Sequence, residues 1–117
     1  MWPMPFWYFV RIPRLPTEVS HQSNSVEVRN YLLSEGDTVS RGTPIATIEN
    51  FWGVMQLKAS GSGIVRKIFF DPGTTVQIGD PIAIIEADGD AIPGDNNHSL
   101  VEIVKTKRDR PGRSSNA

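Results

Sequence analysis

Few residue combinations in this sequence could do covalent chemistry. There are no cysteines, which excludes thiol nucleophiles, disulfides and thiolate metal sites. The two histidines, His21 and His98, are 77 residues apart and have no neighbours at metal-ligand spacing, so we expect no metal site. The acids Glu35, Asp37 and Asp71 fall in predicted turns, where carboxylates bond to nearby backbone N–H groups. Because no nucleophile–base pair and no phosphate-binding glycine loop is found, we predict no catalytic residues and no enzymatic activity.

The remaining candidate is a pair of aromatic residues at a predicted hairpin tip. Two strand-like runs meet at the sequence Asn50-Phe51-Trp52-Gly53, and asparagine and glycine are both favoured in tight turns. Trp52 could fold back onto the core, or both rings could form an exposed anchor for a protein partner. Aromatic residues concentrate binding energy at interfaces. Two adjacent side chains on a short tip do not easily both point inward, which favours the anchor, with these four residues as the partner-binding site.

An internal repeat organises the middle of the chain. The segments VRNYLLSEGDTVSRGTPIATIE (28–49) and VRKIFFDPGTTVQIGDPIAIIE (65–86) align without a gap at an offset of 37 residues, and 11 of their 22 positions are identical. The shared positions include Gly36 and Gly73, which can adopt positive φ at turns. Such self-similarity indicates two copies of one supersecondary unit.

Each copy reads as β-structure. The runs are short, rich in Val, Ile, Phe and Tyr, and bounded by turns that contain glycine. No window has the 3.6-residue periodicity of an amphipathic helix, so we predict almost no helix. Neither copy can bury enough apolar surface alone, and we therefore expect a pseudo-twofold pair of small sheets. The predicted fold is all-β, a flattened β-barrel or sandwich of two antiparallel sheets.

The N-terminal flank is rich in aromatic residues. We expect residues 1–5 to be flexible and residues 6–12 to form an edge strand that carries Trp7 or Tyr8 into the core. Alternate residues of a strand face opposite sides, so some of these rings must be exposed or covered by a second subunit. A homodimer that buries this strand is a further expectation. A polar loop is predicted at 17–25.

The C-terminal flank is polar and basic. For residues 89–117 we predict a linker, a short strand at 99–104 and a disordered tail, which leaves 6–88 as the folded domain. Five basic residues lie in the last thirteen positions without interleaved aromatics, so we expect no nucleic-acid partner. No apolar stretch is long enough for a membrane span or a signal peptide. We therefore expect a cytoplasmic protein without a membrane partner.

The order of these features resembles that of the biotinyl/lipoyl carrier domains, which serve biotin-dependent carboxylases and 2-oxo acid dehydrogenases. The resemblance rests on EGDTVSRGTPIATIE, then a tip, then QLKASGSGIVRKIFFDPGTTVQIGDPIAIIE, and covers roughly residues 9–88. It implies the barrel-sandwich hybrid fold of that family, with quasi-twofold symmetry. It also implies that a modified lysine would sit at the tip between the two halves.

This sequence departs from the family pattern at that tip. The resemblance places Trp52 where the family carries its lysine, and no lysine occurs between Arg41 and Met55. Attachment of biotin or lipoate needs a primary amine, which an indole does not provide. The nearest lysine, Lys58, lies about 20 Å along a strand from the tip. We therefore predict no cofactor.

Two functions of different classes follow. The first is a non-enzymatic interaction module whose tip contacts a protein, such as a carboxylase or acyltransferase component. The alternative is a biotin or lipoyl carrier subunit of a carboxylase or 2-oxo acid dehydrogenase system that is modified at an atypical lysine, with Lys58 as the candidate. A structural role like that of membrane-fusion adaptors is disfavoured, because the tip carries no helical hairpin.

Overall fold

Short antiparallel strands joined by tight turns form most of this protein. A computed structural model describes residues 6–21, 23–87 and 99–107. Within these residues the chain forms one four-residue helix, α1 (Thr17–Ser20), and nine strands: β1 (Phe6–Arg11), β2 (Ser25–Tyr31), β3 (Thr38–Val39), β4 (Pro44–Glu49), β5 (Gly53–Lys58), β6 (Gly63–Ile68), β7 (Thr75–Gln77), β8 (Pro81–Ala87) and β9 (Leu100–Thr106). The predicted all-β class is confirmed.

The strands form two antiparallel sheets that face each other across one core. The four-stranded sheet has the order β1-β8-β6-β3, and the five-stranded sheet has the order β7-β2-β4-β5-β9. Inward-facing side chains alternate with solvated ones, as in β5, where Met55 and Leu57 are fully buried and Gln56 and Lys58 are not. The predicted sandwich of two antiparallel sheets is confirmed.

The two sequence copies have matching backbone hydrogen bonds. Gly36 N donates to Val65 O at 2.7 Å, and 37 residues further on Gly73 N donates to Val28 O at 2.7 Å. Both glycines have positive φ, 96° and 95°, which explains why each turn carries a residue without a Cβ. The quasi-twofold axis therefore relates the two copies residue by residue.

The two copies do not form one sheet each, which refines the expectation of two small independent sheets. Strand β3 of the first copy pairs with β6 of the second, and β7 of the second copy pairs with β2 of the first. A strand of two or three residues cannot bury an apolar face alone. Exchange of the short strands lets each copy complete the sheet of the other.

The quasi-symmetry extends to β1 and β5. Ile12 N donates to Asp80 O at 3.0 Å, and the related Ala59 N donates to Thr43 O at 2.8 Å. Four residues (59–62) connect β5 to β6, whereas thirteen (12–24) connect β1 to β2. The longer connection holds α1, and we call its residues 13–24 the insertion.

The insertion differs from the polar loop that the sequence predicts. It contains the single turn α1, with Pro16 at the N-cap, Glu18 in the first turn and the fully buried Val19. Leu15 is also buried, so the insertion contributes side chains to the core. One helical turn is too short to show periodicity, which explains why the sequence did not predict it.

The N-terminal strand lies at a sheet edge and sends one aromatic ring inward. Tyr8 is 5% exposed and its hydroxyl donates to Ser62 O at 3.1 Å, whereas Trp7 is 58% exposed. The residues predicted to be flexible, 1–5, lie outside the described residues.

The C-terminal strand β9 lies after residue 88 in the sequence. It pairs with β5 and forms one edge of the five-stranded sheet. It spans Leu100–Thr106, so it ends two residues after the predicted strand at 99–104. Lys105 and Lys107 belong to this ordered part of the chain. The remaining linker and the tail, 88–98 and 108–117, lie outside the described residues.

In the described part of the chain, no helix is long and apolar enough to cross a membrane. Within the same residues, no three His, Asp or Glu side chains are grouped so that they could hold a metal ion.

Candidate functional site

The hairpin tip between β4 and β5 has a tightly fixed backbone. Asn50 N donates to Gly53 O at 3.0 Å, which closes the turn. The Asn50 side-chain oxygen accepts from Trp52 N at 2.7 Å and from Gly53 N at 2.9 Å. Asparagine is suited to this position because its short amide can mimic a backbone acceptor. The tip therefore holds one shape through its own residues.

The two aromatic residues of the tip point in different directions. Phe51 is 78% exposed, the highest value among the large apolar side chains that the structure describes. Trp52 is half-buried and packs against the core. The two rings meet edge to face, with centroids 5.0 Å apart and an interplanar angle of 90°. One ring is thus presented to solvent while the other supports it from below.

The insertion supports the tip on one side. Asn50 Nδ2 donates to Val19 O at 2.7 Å, and a Cβ on Gly53 would lie only 2.6 Å from Val19 Cγ1. The His21 ring lies against Trp52 with centroids 4.2 Å apart. His21 has a φ of 31° because it ends α1 in a left-handed conformation, and this turn brings its ring to the tip.

Strand β9 supports the tip on the other side. Lys107 N donates to Trp52 O at 2.7 Å, directly beyond the pairing of Thr106 with Gly53. The Lys107 ammonium group forms an ion pair with the Glu49 carboxylate, and Arg29 Nε lies 3.3 Å from the same carboxylate. The hydrogen bond from Lys107 holds the pKa of Glu49 below its ordinary value.

An open groove of about 350 Å³ runs beside Phe51. Its walls come from the insertion, the start of β2, the end of β4 and β7, and they offer hydroxyl, carboxylate and amide groups from Ser23, Ser25, Glu27, Glu49, Asn50 and Thr75. Phe51 stands at one wall of this groove. The site therefore combines an apolar ring with adjacent polar groups that can orient a ligand chain.

Apart from Lys107, whose ammonium group is paired with Glu49 beside the tip, the lysine side chains lie further from the tip. Lys58 is at the end of β5 away from the tip, and its Nζ lies 2.5 Å from a Glu102 carboxylate oxygen. Lys105 lies opposite Val54, one pair from the tip, and its side chain is exposed. The tip itself contains asparagine, phenylalanine, tryptophan and glycine.

The structure brings the four predicted tip residues together and adds three that the sequence analysis did not connect with them. Val19, His21 and Lys107 reach the tip from segments that are distant along the chain. No local sequence pattern predicts these contacts, because each depends on how a connection or a terminal strand packs. His21 had been expected only as a loop residue, and Lys107 as part of a disordered tail.

A comparison with known protein families finds a match to the part of the chain that contains the tip. The model of the biotin/lipoyl family, described as "biotin-requiring enzyme", matches residues 14–85, which is well over half of the chain. No curated protein matches the sequence. The matched residues contain the tip, the whole first repeat copy, and all but one residue each of the insertion and the second copy. The chain belongs to the biotin/lipoyl domain family.

Proposed function

We propose that this chain is a non-enzymatic member of the biotin/lipoyl family that binds a protein partner through its hairpin tip. The observation that carries this proposal is the 78% exposure of Phe51 on a backbone that is fixed from three directions. Domains of this family are carriers and are not themselves catalytic. In this chain the tip would keep the position of a carrier site and replace covalent attachment with contact.

The tip residues do not fit a covalently attached prosthetic group. Biotin and lipoate would be held as amides of a primary amine, and the side chains from Asn50 to Gly53 offer an amide and two aromatic rings. The indole of Trp52 is also engaged, since it packs against His21 and the core. We therefore propose that no biotin or lipoate is attached at this tip.

A fixed tip favours binding because little conformational entropy remains to be lost. Burial of one large apolar side chain contributes about 1.5–3 kcal/mol, and ordering of a mobile side chain typically costs about 0.5–1.5 kcal/mol. Trp52 is already packed, and it supports Phe51 through the edge-to-face contact. The Phe51 ring can therefore enter an apolar pocket while the groove beside it receives polar groups of the partner.

The partner is proposed to be an enzyme component. Domains of this family typically partner with enzyme components, so a carboxylase or acyltransferase component is the first class of partner to test. A partner of this kind would bind the tip without acting on it, because the tip holds no reactive group.

A binding experiment with matched variants tests this proposal. The affinity of the purified chain for candidate carboxylase and acyltransferase components is measured by calorimetry, with Phe51→Ser as the test and Phe69→Ser as the control. Phe69 is 40% exposed but lies on the four-stranded sheet side. We expect Phe51→Ser to weaken binding by at least about tenfold, as for a central interface residue, and Phe69→Ser to leave it unchanged. Equal binding by both variants would exclude the tip as the anchor.

The alternative function, a carrier modified at an atypical lysine, has weaker support. Lys58 is ion-paired with Glu102 and lies at the far end of β5 from the tip. Lys105 is exposed and closer, which makes it the better candidate if modification occurs. The intact mass of the protein from its native host separates the two functions. An added biotinyl or lipoyl mass, mapped to either lysine, would favour the carrier.

A further inference from the structure

A second apolar surface lies on the outer side of the four-stranded sheet, and we call it the aromatic face (Trp7, Phe9, Phe69 and Ile84). Trp7 is 58% exposed, Phe69 40% and Phe9 37%. Trp7 lies two residues before Phe9 and therefore on the same side of β1. Phe9 pairs with Ile84 across β1 and β8, and the rings of Phe9 and Phe69 lie 6.3 Å apart. These side chains form one patch.

The position of this patch is unusual for an antiparallel sheet. Such sheets bury one face in the core and present polar residues on the other. Here Tyr8 and Val10 already fill the core side of β1, whereas Trp7 and Phe9 on its outer side are also aromatic. Contiguous exposed apolar surface of this kind marks an interaction site.

The charges around the aromatic face are mostly positive. Arg66 Nε lies 2.6 Å from a Glu86 carboxylate oxygen, so these two charges compensate each other. The Arg11 guanidinium lies 4.9 Å from the centre of the Phe9 ring, and Lys67 is exposed on β6. Within the described residues neither Arg11 nor Lys67 forms an ion pair with a carboxylate. The face therefore has an excess of positive charge, which an acidic partner would complement.

The spacing of these two basic residues fits the width of a helix. Phe9, Ile84 and Lys67 stand side by side on β1, β8 and β6, and Arg11 follows Phe9 by two residues on β1. Strands β1 and β6 are two strand spacings apart, about 10 Å. A helix with its side chains is about 10–12 Å in diameter. A helix that lies on the rings can therefore reach Arg11 on one side and Lys67 on the other.

We propose that the aromatic face binds an acidic amphipathic helix of a partner protein. The apolar stripe of this helix packs on the rings, and Asp or Glu side chains on its two flanks pair with Arg11 and Lys67. An amphipathic helix on the face of a sheet is a common layer arrangement, because each element buries the apolar side of the other. The mixed composition of the face, rings with basic groups beside them, matches both parts of such a helix.

The length of the face sets the length of the helix. Trp7 pairs with Glu86, and Phe69 N donates to Ile82 O at 2.9 Å, so the rings extend from residue 82 to residue 86 of β8. Four residue steps along a strand are about 14 Å. Three turns of helix, about 16 Å, cover this distance. The contact is small, so we expect weak binding, with a Kd of about 10–100 μM.

Two other occupants fit the aromatic face less well. A second copy of the chain, expected at β1 from the sequence, would bring the excess positive charge of both molecules to one interface, where like charges repel. Basic surfaces that bind anionic membranes typically contain about 4–8 Lys or Arg residues. In the described part of this face, Arg11 and Lys67 are the basic residues without a carboxylate partner, and Glu86 adds an acid.

Calorimetry with the full chain and two synthetic peptides tests the proposal. Both peptides are amphipathic helices of about four turns with the same leucine stripe, and their flanks carry Glu in one peptide and Gln in the other. The Glu peptide should bind with a Kd of about 10–100 μM. The Gln peptide should bind about fivefold more weakly, which is the effect of two partly exposed ion pairs.

Variants of the chain locate the binding surface. Trp7→Ser/Phe69→Ser should weaken binding of both peptides by at least about tenfold, and circular dichroism should show that it is folded, because both rings are on the outer surface. Lys67→Gln should weaken binding of the Glu peptide by about two- to threefold and leave that of the Gln peptide unchanged. The control Phe51→Ser should bind both peptides like the wild type.

Equal affinities for the two peptides, or no binding of the Glu peptide up to about 1 mM, would overturn the proposal. Loss of binding in Phe51→Ser would place the peptide at the tip instead of the aromatic face. Binding to phosphatidylserine vesicles without binding to the peptide would assign the face to a membrane. Peptide binding that is seen only after Asp88, Asp90 and Asp95 are replaced by Asn would mean that acids of the chain itself exclude a partner from the face.

Discussion

Phe51 and Trp52 are adjacent in the sequence but have opposite environments. Phe51 is exposed, whereas Trp52 is half-buried between His21 and the core. Phe51 is therefore available to a partner, and Trp52 packs beneath it. The exposed ring should matter for binding and the packed ring for stability.

This division predicts different effects of serine substitution on folding. Phe51→Ser should change the free energy of unfolding by less than about 0.5 kcal/mol, because little of the ring is buried. Trp52→Ser should lower it by about 1–2 kcal/mol, through loss of the buried part of the indole. Urea denaturation followed by circular dichroism measures both. Equal losses in the two variants would contradict the assignment of separate roles.

The two tyrosines form a second matched pair. Tyr8→Phe removes a hydrogen bond to Ser62 O and should cost about 1 kcal/mol at neutral pH. The Tyr31 hydroxyl is buried and makes no hydrogen bond of ordinary geometry within the described residues, although the Phe70 backbone lies near enough to oppose in part the rise in its pKa that burial causes. Tyr31→Phe should therefore leave the free energy of unfolding unchanged or raise it. A destabilisation equal to that of Tyr8→Phe would contradict this prediction.

Tyr8 also predicts how stability changes at alkaline pH. Burial raises the pKa of Tyr8 from 10.0 to about 12, so the folded protein retains a proton that the unfolded chain releases. The stabilisation is complete below pH 10.0 and is lost as the pH rises to about 12. The free energy of unfolding should fall over this range, and less steeply in Tyr8→Phe. Identical slopes in the two proteins would show that Tyr8 is not responsible.

Sequence reasoning located the tip residues but not their orientation. Asn50 and Gly53 predicted the turn because local turn chemistry requires such residues. The direction of Trp52 depends on His21, which reaches it through the left-handed end of α1 in a separate connection. Contacts of this kind are set by packing between distant segments, for which local sequence patterns carry no signal.

At the scale of elements, the tip is held between the insertion and β9. Gly53 lies at the point where both meet the hairpin, because a Cβ there would lie 2.6 Å from Val19 Cγ1 and 2.7 Å from Lys105 O. A larger residue at position 53 should therefore destabilise the tip, α1 and the end of β9 together.

Gly53→Ala tests this coupling. The added methyl group must displace Val19 or the backbone of β9, so amide hydrogen exchange should become faster at Trp52 and Lys107. The control Gly36→Ala also strains the backbone, since Gly36 has a φ of 96°, but its Cβ would meet nothing within 4 Å. Exchange at the tip should be unchanged in the control. Faster exchange in both variants would indicate a global effect.

The ion pair between Lys107, which follows β9, and Glu49, beside the tip, predicts that the free energy of unfolding depends on pH in the acidic range. The pKa of Glu49 is lowered from 4.5, first by the hydrogen bond from Lys107, so the folded state binds fewer protons below pH 4.5 than the unfolded chain. The stabilisation is present above pH 4.5 and is lost as the pH falls through the lowered pKa. It should amount to less than about 1 kcal/mol, because Glu49 remains partly exposed.

Lys107→Gln isolates this contribution. The difference in free energy of unfolding between wild type and variant should be positive at pH 7 and shrink towards zero at acidic pH. Lys67→Gln is the control, since Lys67 is exposed and has no ion pair in the described part of the chain. A pH-independent difference for Lys107→Gln would mean that the Lys107 side chain stabilises the protein through its aliphatic stem and not through the ion pair.

The elements themselves differ in how well the sequence predicts them. The strands of the two copies follow from alternation and glycine turns, which act over a few residues. The exchange of β3 and β7 and the addition of β9 to β5 depend on pairings between distant segments. The sequence predicts a strand at 99–104 but not the strand with which it pairs. Its pairing with β5 places the end of β9 beside the tip.

At the scale of the whole molecule, the quasi-twofold symmetry separates two surfaces. The tip lies at one end of the five-stranded sheet. The exposed rings of Trp7 and Phe9 lie on the four-stranded sheet, towards the opposite end of the molecule. The insertion and β9 break this symmetry at the tip, where both contact the hairpin. The quasi-symmetric fold is therefore asymmetric at the hairpin tip.

The family architecture predicts that a lysine placed at the tip can be lipoylated. If Trp52 occupies the attachment position, Trp52→Lys places a primary amine there, and a lipoyl ligase that reads the shape of the whole domain should add a lipoyl mass to the variant. Phe51→Asp is included so that a small polar residue replaces the exposed ring beside the new lysine. Mass spectrometry after incubation with ligase, lipoate and ATP gives the result, and Phe51→Lys with Trp52 retained is the register control. Modification of the control instead of Trp52→Lys would move the attachment position to residue 51, and modification of neither would contradict the prediction.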